Sequence, residues 1–84
     1  MRVRLKLYAM LSDYLPPEAQ STNTLELEEA EEITVASLIE RYRLPGKWVQ
    51  IVLINGVFVP PEERARRRLK EGDVLAIWPP IAGG

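Results

Sequence analysis

The residues whose types and spacing could do chemistry are the last six, Pro79-Pro80-Ile81-Ala82-Gly83-Gly84, which end in a carboxylate. Side chains shrink from Ile81 to Ala82 to two bare glycines, so the tip is backbone alone and fits a narrow slot. Two prolines fix φ at about −65° and remove two backbone donors, which ends strand pairing and sends the chain onward extended. Four residues beyond them reach about 13 Å, enough to enter another protein's cleft. A carboxylate resists nucleophiles because its charge and resonance repel them. Converted with ATP to an acyl adenylate, its carbonyl carbon becomes open to sulfur or to an amine, and any Cβ at the tip would crowd that attack. A frayed terminus that merely ends in glycine is the plain alternative. Gly-Gly set behind Pro-Pro and an apolar stretch favours the chemical reading.

Little else in the chain can catalyse. Cysteine and histidine are both absent, which excludes thiol nucleophiles, disulfides, zinc-finger ligands and imidazole acid-base work. Carboxylates are plentiful, but a chain of 84 residues has little room for a cleft that would pair them. The expectation is a substrate or subunit worked on by other enzymes, not catalytic alone, with no cofactor and no metal bound. Hydrophobic residues at 46% and charged residues at 27% describe an ordinary globular domain. A net charge of −1 argues for neither nucleic acid nor membrane as a partner. No apolar run approaches about 18 residues, and Met1-Arg2-Val3-Arg4-Leu5-Lys6 alternates instead of building a signal sequence, so a cytoplasmic location is expected.

The tail needs a body to project from. Residues 2–8 alternate, with Val3, Leu5 and Leu7 on one face, as in a half-buried strand. Met10, Leu11, Tyr14 and Leu15 fall at helix-like spacing, predicting a short helix or turn that Pro16-Pro17 ends, and residues 18–23 read as a polar loop. Thr24–Glu28 alternates again as an edge strand, and Glu26, Glu28, Glu29, Glu31 and Glu32 keep that edge soluble. Thr34 suits a helix N-cap, with Ile33 and Leu38 as a hydrophobic staple. Val35, Leu38, Ile39 and Tyr42 supply the buried stripe of that helix, and Pro45-Gly46 closes it after Leu44. Residues 49–54 are an apolar run expected inside the sheet. Asn55-Gly56 fits a type I′ turn into a return strand, Val57-Phe58-Val59, cut short by Pro60-Pro61. Residues 62–70, with Arg64, Arg66, Arg67 and Arg68, read as a solvated turn or short helix anchored by Leu69 rather than as a nucleic-acid patch. Glu71-Gly72-Asp73 then turns into a last strand, Val74–Trp78.

Strand parity assigns faces. If Leu75 and Ile77 face the helix, Val74, Ala76 and Trp78 share the opposite side with Tyr8. Val57 and Val59 should point inward and Phe58 outward, while Gln50 marks the outer face of the third strand and would expose Val52 and Ile54. The result is an apolar, aromatic outer face, with Tyr8, Phe58 and Trp78 as partner-binding anchors. The bland reading is that these rings cover the rim of a small domain. Two strands, a helix and three strands predict an α+β chain with a β-grasp (ubiquitin-like) domain over residues 1–78, its sheet packed against one main helix. Residues 79–84 form the extended tail.

On three motifs, Trp78-Pro79-Pro80-Ile81-Ala82-Gly83-Gly84, Leu69-Lys70-Glu71-Gly72-Asp73 and Asn55-Gly56, the chain resembles the MoaD/ThiS family of ubiquitin-like sulfur carriers over nearly its whole length. Within that family it most resembles small subunits of molybdopterin synthase, which end Phe-Pro-Pro-Val-Ala-Gly-Gly. The resemblance implies a mixed five-stranded sheet in the order 2-1-5-3-4, with the first and last strands parallel at its centre. It implies that an E1-like, MoeB-like enzyme adenylates Gly84 at the expense of ATP, and that the C-terminus then becomes a thiocarboxylate. The segment Ile81-Ala82-Gly83-Gly84 would enter a large, MoaE-like synthase subunit, the two forming a heterotetramer. There sulfur would pass to cyclic pyranopterin monophosphate to build the dithiolene of molybdopterin. The family's partner interface aligns with Tyr8, Phe58 and Trp78. Two departures stand out: Trp78 occupies a position where phenylalanine is common, and the segment 62–68 is longer and more basic than usual. Related carriers serve thiamin synthesis, tRNA thiolation or, through Gly84, protein modification, so these readings stay open beside the first.

Overall fold

In the computed structural model, which describes residues 1–80, the alternating first segment is strand β1 (Arg2–Leu7), with Val3, Leu5 and Leu7 buried and Arg2 and Arg4 exposed. Four further strands join it: β2 (Thr24–Glu28), β3 (Ile51–Ile54), β4 (Val57–Phe58) and β5 (Val74–Trp78). They form one sheet in the order β2-β1-β5-β3-β4. β1 and β5 run parallel at its centre, and the other pairs are antiparallel. This is the β-grasp arrangement expected, with β2 at the rim as its alternating acidic pattern requires.

One face of the sheet is covered by helix α2 (Val35–Arg41) and by the connections around it. α2 contributes Val35 and Leu38, and Leu11, Leu15, Ala19, Leu44, Val59 and Leu69 fill in from the connections, all against Val3, Leu5, Leu7, Val52, Ile54, Leu75 and Ile77. A helix of seven residues cannot cover five strands alone, so the connections carry much of the core.

Both ends of α2 are set by local chemistry. Thr34 Oγ1 accepts from the Ser37 N–H at 3.2 Å and Ser37 Oγ accepts from the Thr34 N–H at 2.9 Å, a capping box with serine in the place of the usual glutamate. The two remaining first-turn donors find partners in the basic segment: Val35 N–H donates to Arg67 O at 3.0 Å and Ala36 N–H to Arg64 O at 2.9 Å. That segment is thus more than a solvated turn, because its backbone closes the helix start. At the other end Arg43 sits at φ 56°, with Leu44 N–H donating to Ile39 O and Arg43 N–H to Glu40 O. This is a Schellman closure built on a non-glycine residue, and it stops the helix at Arg41 rather than at Leu44 as expected.

Other expectations need correcting. Pro16-Pro17 does not simply end a helical turn: Pro17 opens helix α1 (Pro17–Gln20), since its missing N–H is one that a first helical residue leaves unbonded anyway. Residues 18–23 are therefore not all loop, and Ala19 of α1 is buried. The preceding turn Ala9–Tyr14 is 3₁₀ and buries Leu11, whereas Met10 and Tyr14 of the supposed stripe are exposed. Val57, expected inward, is 62% exposed, because β4 is two residues long and lies at the sheet's rim. No helix among the described residues is long and apolar enough to cross a membrane.

Candidate functional site

The outer sheet face is organised in cross-strand rows. β1 and β5 are paired in parallel with Leu7 opposite Ile77, so the next residue on each strand brings Tyr8 beside Trp78. Tyr8 N–H donates to Ile77 O at 3.1 Å and holds that register past the end of β1. The two rings stack with centroids 4.0 Å apart and planes 2° from parallel. Ile51 lies opposite Trp78 on the other side and extends the row. One row over, Phe58 faces Leu53, Leu53 faces Ala76 and Ala76 faces Lys6. Phe58 is 51% exposed, an aromatic ring left largely open to solvent.

The sequence placed Tyr8, Phe58 and Trp78 on this face, and the structure puts all three there. It does not support the assignment of Val52 and Ile54 to the same side: both are buried in the core, and Ile51 and Leu53 take the outer positions. The parity count failed because it began at Gln50. Val49, which ends the 3₁₀ turn Gly46–Trp48, has φ −92° and ψ 87°, so strand alternation begins only at Ile51. Counting backward from the Asn55-Gly56 turn would have found Ile51 and Leu53.

The other half of the face is charged and internally balanced. Arg2 pairs with Glu28 at 3.4 Å and Arg4 with Glu26 at 3.8 Å, directly across the β1–β2 register. Arg2, Arg4 and Glu26 line a 340 Å³ groove with Glu71 and Gly72, so its two cations face two carboxylates. Among the described residues no group of carboxylates is arranged to hold a metal ion.

A clamp fixes where β5 begins. Asn55 and Gly56 both have positive φ, 50° and 84°, as the I′ turn demands. The Asn55 side chain donates to Asp73 Oδ1 and accepts from the Val74 N–H, both at 2.9 Å, while Asp73 Oδ2 accepts from the Lys70 N–H at 2.8 Å. Sequence reading found the turn but not the clamp, since nothing in Asn55-Gly56 says which distant strand the carboxamide will meet.

At the far end of β5, Trp78 O accepts from the Gln50 N–H at 3.0 Å, Pro79 is buried and Pro80 is exposed. The tail residues Ile81, Ala82, Gly83 and Gly84, named above for insertion and activation, lie outside the described residues. The described chain ends at Pro80, two residues past the stacked Trp78 ring.

The sequence pattern of the ThiS family matches residues 14–84, most of the chain and the whole tail. No curated protein matches the sequence. Among solved structures the fold is similar to SAMP1 from Haloferax volcanii, with a TM-score of 0.65, 22% identity and 100% of each chain covered. It is also similar to a putative molybdopterin converting factor, subunit 1, from Pyrococcus furiosus, with a TM-score of 0.61, 24% identity and 95% and 98% covered. A third similar structure is the complex of subunits 1 and 2 of the molybdopterin-converting factor from Helicobacter pylori, with a TM-score of 0.61, 16% identity and 100% of each chain covered. With the β-grasp sheet, the aromatic face and the family pattern running through the Gly-Gly end, the chain belongs to the ThiS family of ubiquitin-like sulfur carriers.

Proposed function

We propose that this chain is the sulfur-carrying small subunit of molybdopterin synthase. The observation that carries the reading is the junction at Trp78, where an exposed aromatic face and the Pro-Pro-Ile-Ala-Gly-Gly sequence meet at one end of β5. A partner docked on that face holds the tail at high local concentration, so entry of the tip into a slot needs no second encounter. Two of the proteins that share the fold are molybdopterin converting factor proteins, and the second of those was solved with another subunit, which is the assembly this reading requires.

In this reading the Gly84 carboxylate attacks the α-phosphorus of ATP inside an E1-like enzyme, and pyrophosphate leaves. A sulfur nucleophile then attacks the acyl carbon, AMP departs, and a thiocarboxylate remains. Sulfur is softer and more nucleophilic than the oxygen it replaces, so the tip attacks cyclic pyranopterin monophosphate held by the large subunit, displaces an oxygen substituent and forms a thioester. Water then cleaves the acyl–sulfur bond and returns the Gly84 carboxylate, and a second carrier supplies the second sulfur of the dithiolene. The body contributes docking and aim, and the reacting groups other than the tail come from partners.

The test is reconstitution. Incubating the chain with ATP, an E1-like enzyme and a sulfide donor should exchange one terminal oxygen for sulfur, read by intact mass. Adding the large subunit and cyclic pyranopterin monophosphate should then yield the dithiolene. An unchanged mass, under conditions where a known carrier reacts, overturns carrier chemistry. Thiocarboxylate without dithiolene moves the assignment to thiamin synthesis or tRNA thiolation, and branched peptides bearing the tail on lysine move it to protein modification.

A further inference from the structure

We propose that Lys6 meets a carboxylate of the protein that covers the outer sheet face, so the surface that fits is an apolar socket with one acidic side chain at its edge. The inference rests on the reading just given and specifies the partner surface. β1 sends three cations to this face at alternate positions, Arg2, Arg4 and Lys6. The first two stand opposite Glu28 and Glu26 and pair with them. At Lys6 the ladder breaks, because Thr24 stands opposite and supplies no charge. Among the described residues no salt bridge or hydrogen bond engages the Lys6 ammonium.

Its position explains why this matters. Lys6 is half-buried, paired in register with Ala76 on β5 and two residues before Tyr8 on the same face. It therefore marks the border between the apolar half of the face and the balanced charged half. A partner that covers Tyr8, Trp78, Leu53 and Phe58 must also strip water from this ammonium. Desolvating a lone cation is unfavourable unless a counter-charge replaces the water, so an unmatched Lys6 would select against partners that lack an acid there. A protein carboxylate fits better than a phosphate backbone, since a run of phosphates past Lys6 would find only arginines already paired with Glu26 and Glu28.

The experiment titrates the full-length chain against the large molybdopterin synthase subunit of the same organism, by calorimetry over a series of salt concentrations. Lys6→Met should weaken binding about tenfold and flatten the salt dependence, and Lys6→Glu should weaken it about 100-fold. Arg66→Gln, which removes a cation from the segment over α2 and away from this face, should change neither. Restoration of Lys6→Glu binding by exchanging one partner carboxylate for lysine would identify the pair. Equal affinity and equal salt slope for wild type, Lys6→Met and Lys6→Glu overturn the inference while leaving the carrier reading intact. Failure of the wild-type chain to bind the large subunit at all overturns the molybdopterin reading, and this inference with it. Thermal unfolding of each variant separates lost affinity from lost fold.

Discussion

Tyr8, the residue after β1, and Trp78, the last residue of β5, continue the register of two neighbouring parallel strands, and their ring centroids lie 4.0 Å apart with planes within 2° of parallel. Each ring limits the other's rotamers, so the pair presents one rigid aromatic plate rather than two mobile side chains. Such anchors dominate interface energies because little entropy remains to be lost on binding. Replacing Tyr8 by leucine should cost about 1 kcal/mol of domain stability through the lost stack. It should also weaken partner binding by roughly tenfold, measured by calorimetry. Trp78→Phe should bind within a fewfold of wild type, because a phenyl ring can still lie on Tyr8. Trp78→Ala removes the plate and should weaken binding by about 30-fold or more. Equal affinities across this series would mean that the face is not the docking surface.

Asn55 is a second point where one side chain does several jobs. It holds positive φ in the hairpin, donates to Asp73 and accepts from the backbone of Val74. Asn55→Ala loses both bonds and strains the turn, for a cost of about 2–3 kcal/mol. Asn55→Gly loses the same bonds but relaxes the backbone, so it should cost roughly 1 kcal/mol less than alanine. Urea unfolding of the pair measures that difference directly. Identical midpoints would show that the turn conformation carries none of the cost.

Arg64 makes the opposite prediction, a charge whose removal does no harm. Its Nε donates to Val59 O at 3.2 Å, but its Nη2 is buried without a hydrogen-bond partner among the described residues. Burial pushes the guanidinium pKa down from its usual value, partly offset by nearby Glu62. A lowered pKa for a base means that the charged form is less favoured in the folded state, so the penalty is present at every pH below that pKa. Arginine stays protonated throughout the working range, so the penalty should be flat from about pH 5 to 9. Arg64→Met keeps the apolar stem and drops the unmet donor. Its stability should lie within about 1 kcal/mol of wild type, on the stabilising side, with no pH trend. A loss greater than that would mean that the Nε bond to Val59 outweighs the unmet donor.

Where one residue type speaks for itself, the sequence was sufficient. Alternation located β1 and β2, the turn Glu71-Gly72-Asp73 located β5, Thr34 marked the helix start, and Asn55-Gly56 fixed the hairpin. Reading failed where geometry is decided by something distant or by an unusual choice of residue. Arg43 ends α2 in a left-handed conformation that glycine more often adopts, so no breaker was visible before Pro45. Pro17 starts a helix where proline was read only as a stop. The outer positions of β3 were miscounted because a 3₁₀ turn interrupts the alternation just before Ile51. The three aromatic residues were legible as members of one face; that two of them stack depends on a parallel register that only the assembled sheet supplies.

On the proposed reading, substitution of Gly84 separates docking from chemistry. If the tip acts as the acyl group, Gly84→Val places a branched Cβ beside the carbon that must be attacked, first in forming the adenylate and again in accepting sulfur. Misplacement of reacting atoms by about 1 Å costs on the order of 100-fold, so thiocarboxylate formation should fall at least that far. Gly84→Ala, with one methyl group, should fall between valine and wild type. The docking face is untouched by either change, so both variants should still bind the large subunit through Tyr8, Phe58 and Trp78. An uncharged variant that binds is a competitor: added in excess to a working synthase, Gly84→Val should suppress dithiolene formation in proportion to its occupancy. Charging of Gly84→Val at the wild-type rate would remove the tip from the mechanism. Loss of charging with loss of binding would instead mean that tail and face are not separable, since affinity would then reside in the tail.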